Sequence, residues 1–144
     1  MRLRGRREHL FILNGKRPEA CGDTLKWGRW FETADRRVAL TKVGEHFEVS
    51  TVFLGLDHSF SGTGPPILFE TMAFGPEQQA PKGAGPMSGR IYREDMSMAR
   101  YATWEEAEAG HALIVKECEA AAAELQEGVR AALEKIRGKV GEKK

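Results

Sequence analysis

Cysteine is scarce in this chain: Cys21 and Cys118 are the only two among 144 residues. They make no CxxC, so a disulfide-dense scaffold and a cysteine-rich zinc site are excluded, and two reduced thiols are expected. Long apolar runs are missing too. Nothing approaches the ~20 residues of a membrane span. After the basic first residues, the apolar run 10–13 is too short for the core of a signal peptide, so a cytoplasmic location is the expectation. No sign of charge dominates: 22 Lys and Arg stand against 21 Asp and Glu, a formal net charge of +1. The general basic field that nucleic-acid binding exploits is therefore absent. H-E-x-x-H, H-x-E, EF-hand, phosphate-loop and dinucleotide patterns are absent as well. So is the Gly-x-Ser-x-Gly elbow, because Ser61 is preceded at the required place by Ser59 rather than Gly.

What remains is the make-up of one ordinary globular domain, 41% hydrophobic and 30% charged. Its charges are uneven. Arg2, Arg4, Arg6 and Arg7 crowd the start, while Lys135, Arg137, Lys139, Lys143 and Lys144 crowd the end. Residues 1–8 read as a basic arm, residues 9–116 as a single α+β domain, and 117–144 as a helical extension with a basic tail.

Within the domain, "LFILNGKRPEAC" is two short runs about an Asn-Gly pair. This predicts a hairpin of about 9–13 with 16–21, with Pro18 at a sheet edge. Asp23 or Thr24 caps a helix on which Trp27, Trp30, Phe31 and Ala34 share one face, the helix's share of the core. "RVALTKVGEHFEVSTVFLG" predicts two strands about Gly44-Glu45. Phe47, Val49, Thr51 and Phe53 lie on one side of the second strand, with His46, Glu48 and Ser50 on the other. "ILFETMAF" is the next strand, in which Glu70 alternates with Leu68, Met72 and Phe74. Consecutive strands joined by short connections favour an antiparallel meander of about 4–5 strands. Residues 75–99, rich in Gly and Pro, read as a long surface loop that Ile91 and Tyr92 would dock.

Thr103-x-x-Glu106 is a capping box, and Trp104, Ala107, His111, Ile114, Cys118, Ala121 and Leu125 follow at helical spacing. One long helix over about 104–137 is predicted, with Gly110 and Gly128 as the points where it would kink or break. Such a helix outruns a globule of this size. The stripe Leu125, Val129, Ala132, Leu133 and Ile136 is then left for another surface: a second copy, a different protein, a fold-back, or plain solvent.

Two sets of residues invite a chemical reading. Asp57, His58, Glu70 and His111 are plausible ligands for a divalent metal, but they lack any recognised ligand spacing. The opposing reading is structural. Asp57 caps backbone N–H groups in the turn, Gly62 and Gly64 take positive φ, and Pro65-Pro66 stiffens the approach to the strand. Arg36 or Arg37 then pairs with Glu70 or Asp57, and His111 is a satisfied core histidine. A Ser-His-Asp relay from Asp57, His58, Ser59 or Ser61 is disfavoured, because neighbours in sequence seldom converge as a relay must. The second set is Arg2, Arg4, Arg6 and Arg7, which would give weak, salt-sensitive contact with nucleic acid.

The blocks "WFETADRRVALTKVG", "VSTVFLGLDHSF…GPPILFETMAFG" and "RYATWEEAEAGHALIV" resemble a group of small uncharacterised proteins encoded by bacteriophages and prophages, over about residues 9–116. The resemblance implies an origin in phage and a setting inside the host cell. It carries no activity to any residue. The expectation is a non-enzymatic accessory protein that needs no cofactor and whose partner is a host or phage protein, or itself through the C-terminal helix. A metal-dependent protein and a weak nucleic-acid binder are the alternatives.

Overall fold

Residues Phe47–Phe53 alternate buried and half-buried without a break, and that alternation lays out the fold. The computed structural model describes residues 8–59, 62–75 and 98–141, with side chains to 139. Among them the order is β1 (Phe11–Asn14), β2 (Arg17–Ala20), α1 (Thr24–Thr33), β3 (Arg37–Val43), β4 (Phe47–Phe53), β5 (Phe69–Phe74), β6 (Ala99–Tyr101) and α2 (Trp104–Gly141). Strands β3 to β6 form an antiparallel sheet in sequential order, and β1 with β2 forms a separate antiparallel pair. This is the predicted α+β meander with one short and one long helix. Two details differ. The first hairpin stands outside the meander, and the fourth strand is Ala99–Tyr101, at the end of what reads as a loop.

Turn chemistry sets both hairpins. Asn14 pairs with Arg17, so the first turn is Gly15-Lys16 rather than Asn14-Gly15. Gly15 sits at φ +64°, the positive value required at the first central position of a II′ turn. Val43 pairs with Phe47, so the second turn holds Gly44, Glu45 and His46. His46 therefore belongs to the turn and not to the strand.

The buried face is built in cross-strand layers: Val49 beside Ala73, Thr51 beside Thr71, and Phe53 beside Phe69. Helix α2 lies over this face with Ala107, His111, Ile114 and Cys118 turned inward. One apolar cluster joins Val43, Phe47, Val49 and Ala73 to Ile114 and Cys118. The other joins Phe53, Leu68 and Phe69 to Ala107, with Phe11, Trp30 and Trp104 packed around it. Its aromatic rings run as a chain, Trp30 to Phe53 (5.9 Å), Phe53 to Phe69 (5.2 Å) and Phe69 to Trp104 (6.1 Å). Their edge and tilted contacts suit the ring quadrupole. A bulge between Arg37 and Ala39 gives β3 an extra residue, and Val38 there packs on this second cluster.

Helix α1 starts where Asp23 Oδ1 accepts the N–H groups of Leu25 (3.0 Å) and Lys26 (3.2 Å). It is pinned by Trp27, whose indole N–H is shared between the carbonyls of Phe11 and Gly55, both at 3.1 Å. Helix α2 starts at the predicted box: Thr103 Oγ1 accepts the Glu106 N–H (3.1 Å), and Glu106 reaches back to the Ala102 N–H (3.4 Å). It then runs 38 residues, ~57 Å at 1.5 Å per residue, straight through Gly110 and Gly128. Neither glycine breaks it. Gly110 is buried beneath the Tyr101 ring, in space that a Cβ would overlap, so its role is close packing. Contact with the sheet continues past residue 116 to Ala121 and Ala122. A Cβ added at Gly44 would lie 3.8 Å from the Ala122 methyl, which marks the end of that contact.

Candidate functional site

The loop after β4 is built by its acid. Asp57 Oδ1 accepts the N–H groups of Ser59 (2.8 Å) and Ile67 (3.0 Å), so one carboxylate oxygen closes both ends of the connection. The His58 N–H donates to the Ile67 carbonyl (2.9 Å), and the Asp57 N–H to that of His9 (2.9 Å). Gly62 and Gly64 take φ of +65° and +79°, as the turn reading requires. Phe60 and Ser61 lie outside the described residues.

Glu70 stands elsewhere. The inward row of β5 is Phe69, Thr71 and Ala73, so Glu70, Met72 and Phe74 occupy the outer face of the sheet. The expected partners Arg36 and Arg37 are replaced by Arg100, directly opposite on β6, with Nε 3.2 Å from Glu70 Oε1. Arg36 instead donates to the Phe53 carbonyl (3.1 Å) and lies 3.9 Å from the centroid of the Phe31 ring.

His111 is on the opposite face from Glu70, 6% exposed between the two apolar clusters. Its Nδ1 lies 2.7 Å from Thr51 Oγ1, its Nε2 lies 2.8 Å from Thr41 Oγ1, and Thr51 Oγ1 lies 2.6 Å from Thr71 Oγ1. A neutral imidazole has one donor and one acceptor, and hydroxyls can serve either way, so the chain closes in either tautomer. Burial pulls the ring's pKa below its ordinary 6.5. With both nitrogens engaged, the ring presents no free atom to a reactant. The four residues considered as metal ligands thus sit in three places: a loop, an outer strand face and a buried layer. Among the described residues no three His, Cys, Asp or Glu side chains are grouped to hold a metal. Cys21 and Cys118 are both buried and neither is in a disulfide.

The predicted interaction stripe has a different setting. Beyond Ala122 the described side chains of α2 are all exposed. Leu125, Val129, Leu133 and Ile136 are 40%, 54%, 50% and 58% exposed, with Ala132 open beside them. This free segment, residues 123–141, is ~28 Å long. Its base forms one wall of an apolar groove of about 410 Å³, whose other wall is the turn Gly44, Glu45 and His46 with Phe47. Arg2, Arg4, Arg6 and Arg7 lie outside the described residues, as do Ile91 and Tyr92.

Sequence reasoning found the stripe by its spacing and did not find the groove, because the turn that forms its second wall is almost 80 residues distant in sequence. The threonine layer was also missed as a unit, although Thr51 and His111 each fell on an inward stripe. No described helix is long and apolar enough to cross a membrane. No family model, no curated protein and no solved structure matches the chain.

Proposed function

We propose that this chain is a phage-type accessory protein acting inside the host cell, and that it works by holding another protein chain rather than by turning over a substrate. The carrying observation is continuity. The stripe that packs on the sheet through Ala107, Ile114 and Cys118 continues along the same helix as Leu125, Val129 and Ile136 with nothing over it. A single exposed leucine such as Leu25 needs no explanation. A row of four large side chains at helical spacing, ending in an apolar groove, is how a helix presents a docking face. The Asp57 carboxylate and the His111 layer are spent on backbone and hydroxyl partners, whereas the free end of the helix leaves a whole apolar row uncovered.

The test is a photo-crosslinking residue placed at Leu133 and, as a control, at Leu25, in chains expressed in host cells. Adducts are expected at Leu133 and not at Leu25. A clean chain at both positions sinks the proposal.

A further inference from the structure

From Glu117 onward the exposed face of α2 is polarised along its length. Residues 117–128 carry Glu117, Glu119, Glu124 and Glu127 with no Lys or Arg, a net charge of −4. Residues 129–139 carry Arg130, Lys135, Arg137 and Lys139 against Glu134, a net charge of +3. All nine side chains are exposed. One local pair, Arg130 to Glu127 at 2.8 Å, bridges the junction. The helix dipole does not account for the pattern, since its influence falls off within the last turn and reaches Lys139 but not Arg130.

We propose that this segment pairs antiparallel with the same segment of a second copy of the chain, about a twofold axis near Val129. The inference deepens the docking reading above and rests on it. Antiparallel pairing lays each acidic half along the other copy's basic half, whereas parallel pairing sets acid on acid and base on base. The apolar series supports it. Ala122, Leu125, Val129, Ala132 and Ile136 follow 3-4-3-4 spacing, the seam of a two-helix coil. With the axis at Val129, Leu125 lies level with the second copy's Leu133 on the flank of the seam, and Ile136 lies level with the second copy's Ala122. That brings Ile136 to the groove beside Gly44 and Phe47, where Glu45 stands at the rim to meet the incoming basic end. The contact is self-complementary, so it closes as a dimer with the two heads at opposite ends. A strip ~28 Å long and ~10 Å wide covers only ~280 Å² per copy, less than a stable interface buries, so weak, reversible association is expected.

The experiment is sedimentation equilibrium of the full chain from low-micromolar to sub-millimolar concentration, at low and high salt, with circular dichroism as a check on helix content. Wild type should pass from monomer to dimer and weaken with salt. Two charge variants follow. One carries Glu119→Lys, Glu124→Lys and Glu127→Lys; the other carries Arg130→Glu, Lys135→Glu and Arg137→Glu. Each should associate at least ~10-fold more weakly alone, and the two mixed should form a heterodimer. A spin label at Gly138→Cys, on open surface, should report ~27 Å between copies; a parallel pair would give on the order of 10 Å. A wild type that stays monomeric throughout overturns the inference, as does a dimer indifferent to the charge variants or one with the short label distance. If that monomer still yields Leu133 adducts to a different protein, only the identity of the partner is lost and the docking reading stands. If it yields none, both are lost.

Discussion

Replacing Thr51 by Val changes almost nothing in shape and removes one hydroxyl at the centre of the buried layer. That hydroxyl contacts His111 Nδ1 at 2.7 Å and Thr71 Oγ1 at 2.6 Å, and both Thr51 and Thr71 are fully buried. The substitution leaves a ring nitrogen and a hydroxyl facing a methyl group. Each stranded buried group costs ~1–3 kcal/mol, and the added apolar burial offsets ~0.8 kcal/mol. A net loss of about 1–5 kcal/mol follows, a large part of the 5–15 kcal/mol of a typical domain. The assay is urea unfolding with the midpoint read at unchanged slope. The companion variant Thr51→Val/Thr71→Val/His111→Leu removes all three members facing one another. It should lie within ~1 kcal/mol of wild type, since replacing every partner at once strands nothing except Thr41, which is only half-buried. A Thr51→Val protein as stable as wild type would refute the network argument, and so would a triple variant weaker than the single one.

Three further outcomes follow from the same geometry. His111 is held below its ordinary pKa by burial, so the unfolded chain takes up its proton first. Stability should be level above pH ~6.5 and fall as pH drops below it, by up to ~1.4 kcal/mol per pH unit until the native ring protonates too; this component disappears in His111→Leu. Gly128→Ala, on open helix surface, should stabilise by ~0.5–1 kcal/mol, whereas Gly110→Ala should destabilise by ~1–3 kcal/mol because its methyl displaces the Tyr101 ring. Thermal unfolding of the pair, run dilute, checks both signs. Asp57→Ala should cost ~1.5–3 kcal/mol through the lost bonds to Ser59 and Ile67, and Asp57→Asn, which keeps an acceptor, should recover most of it. Equal losses in the two Asp57 variants would show that the carboxylate serves something other than the turn.

The parts of this fold that were legible in the sequence are those written in neighbouring residues. The cap at Asp23, the box at Thr103 and Glu106, the hairpin at Gly15 and the Asx turn at Asp57 each need only a few positions. What was not legible depended on distant partners. Strand β6 is three residues long, and its pairing comes from β5 rather than from its own pattern. β5 has two rows of apolar character, and no local pattern says whether the one with Glu70, Met72 and Phe74 or the other faces the core. The inner row is Phe69, Thr71 and Ala73, with small residues where the helix comes close. That closeness is also why Gly110 and His111 are where they are. Arg36 was drawn to the Phe53 carbonyl and the Phe31 face rather than to an acid, a choice that no local rule contains.

One buried layer connects the stability of the head to the direction of the free helix. His111 bonds Thr41 on β3 and Thr51 on β4, and through Thr51 it is linked to Thr71 on β5. A single ring on the helix is thereby keyed to three strands. Apolar contacts alone are not directional, and a helix faced with Ala and Ile on a sheet can shift along its axis at modest cost. A shift of one turn, ~5.4 Å, would carry Leu125 and Val129 past the Gly44 turn and dismantle the groove. Hydrogen bonds at fixed sites forbid that shift, because leaving them strands buried groups. Buried polar groups do not always confer this uniqueness, so the point needs its own measurement. In the apolar triple variant, amide resonances of Gly44, Phe47 and Ala122 should broaden or double, while stability stays near wild type. A single sharp set of peaks at those positions would mean that packing alone fixes the helix, and that the threonine layer has no part in aiming it.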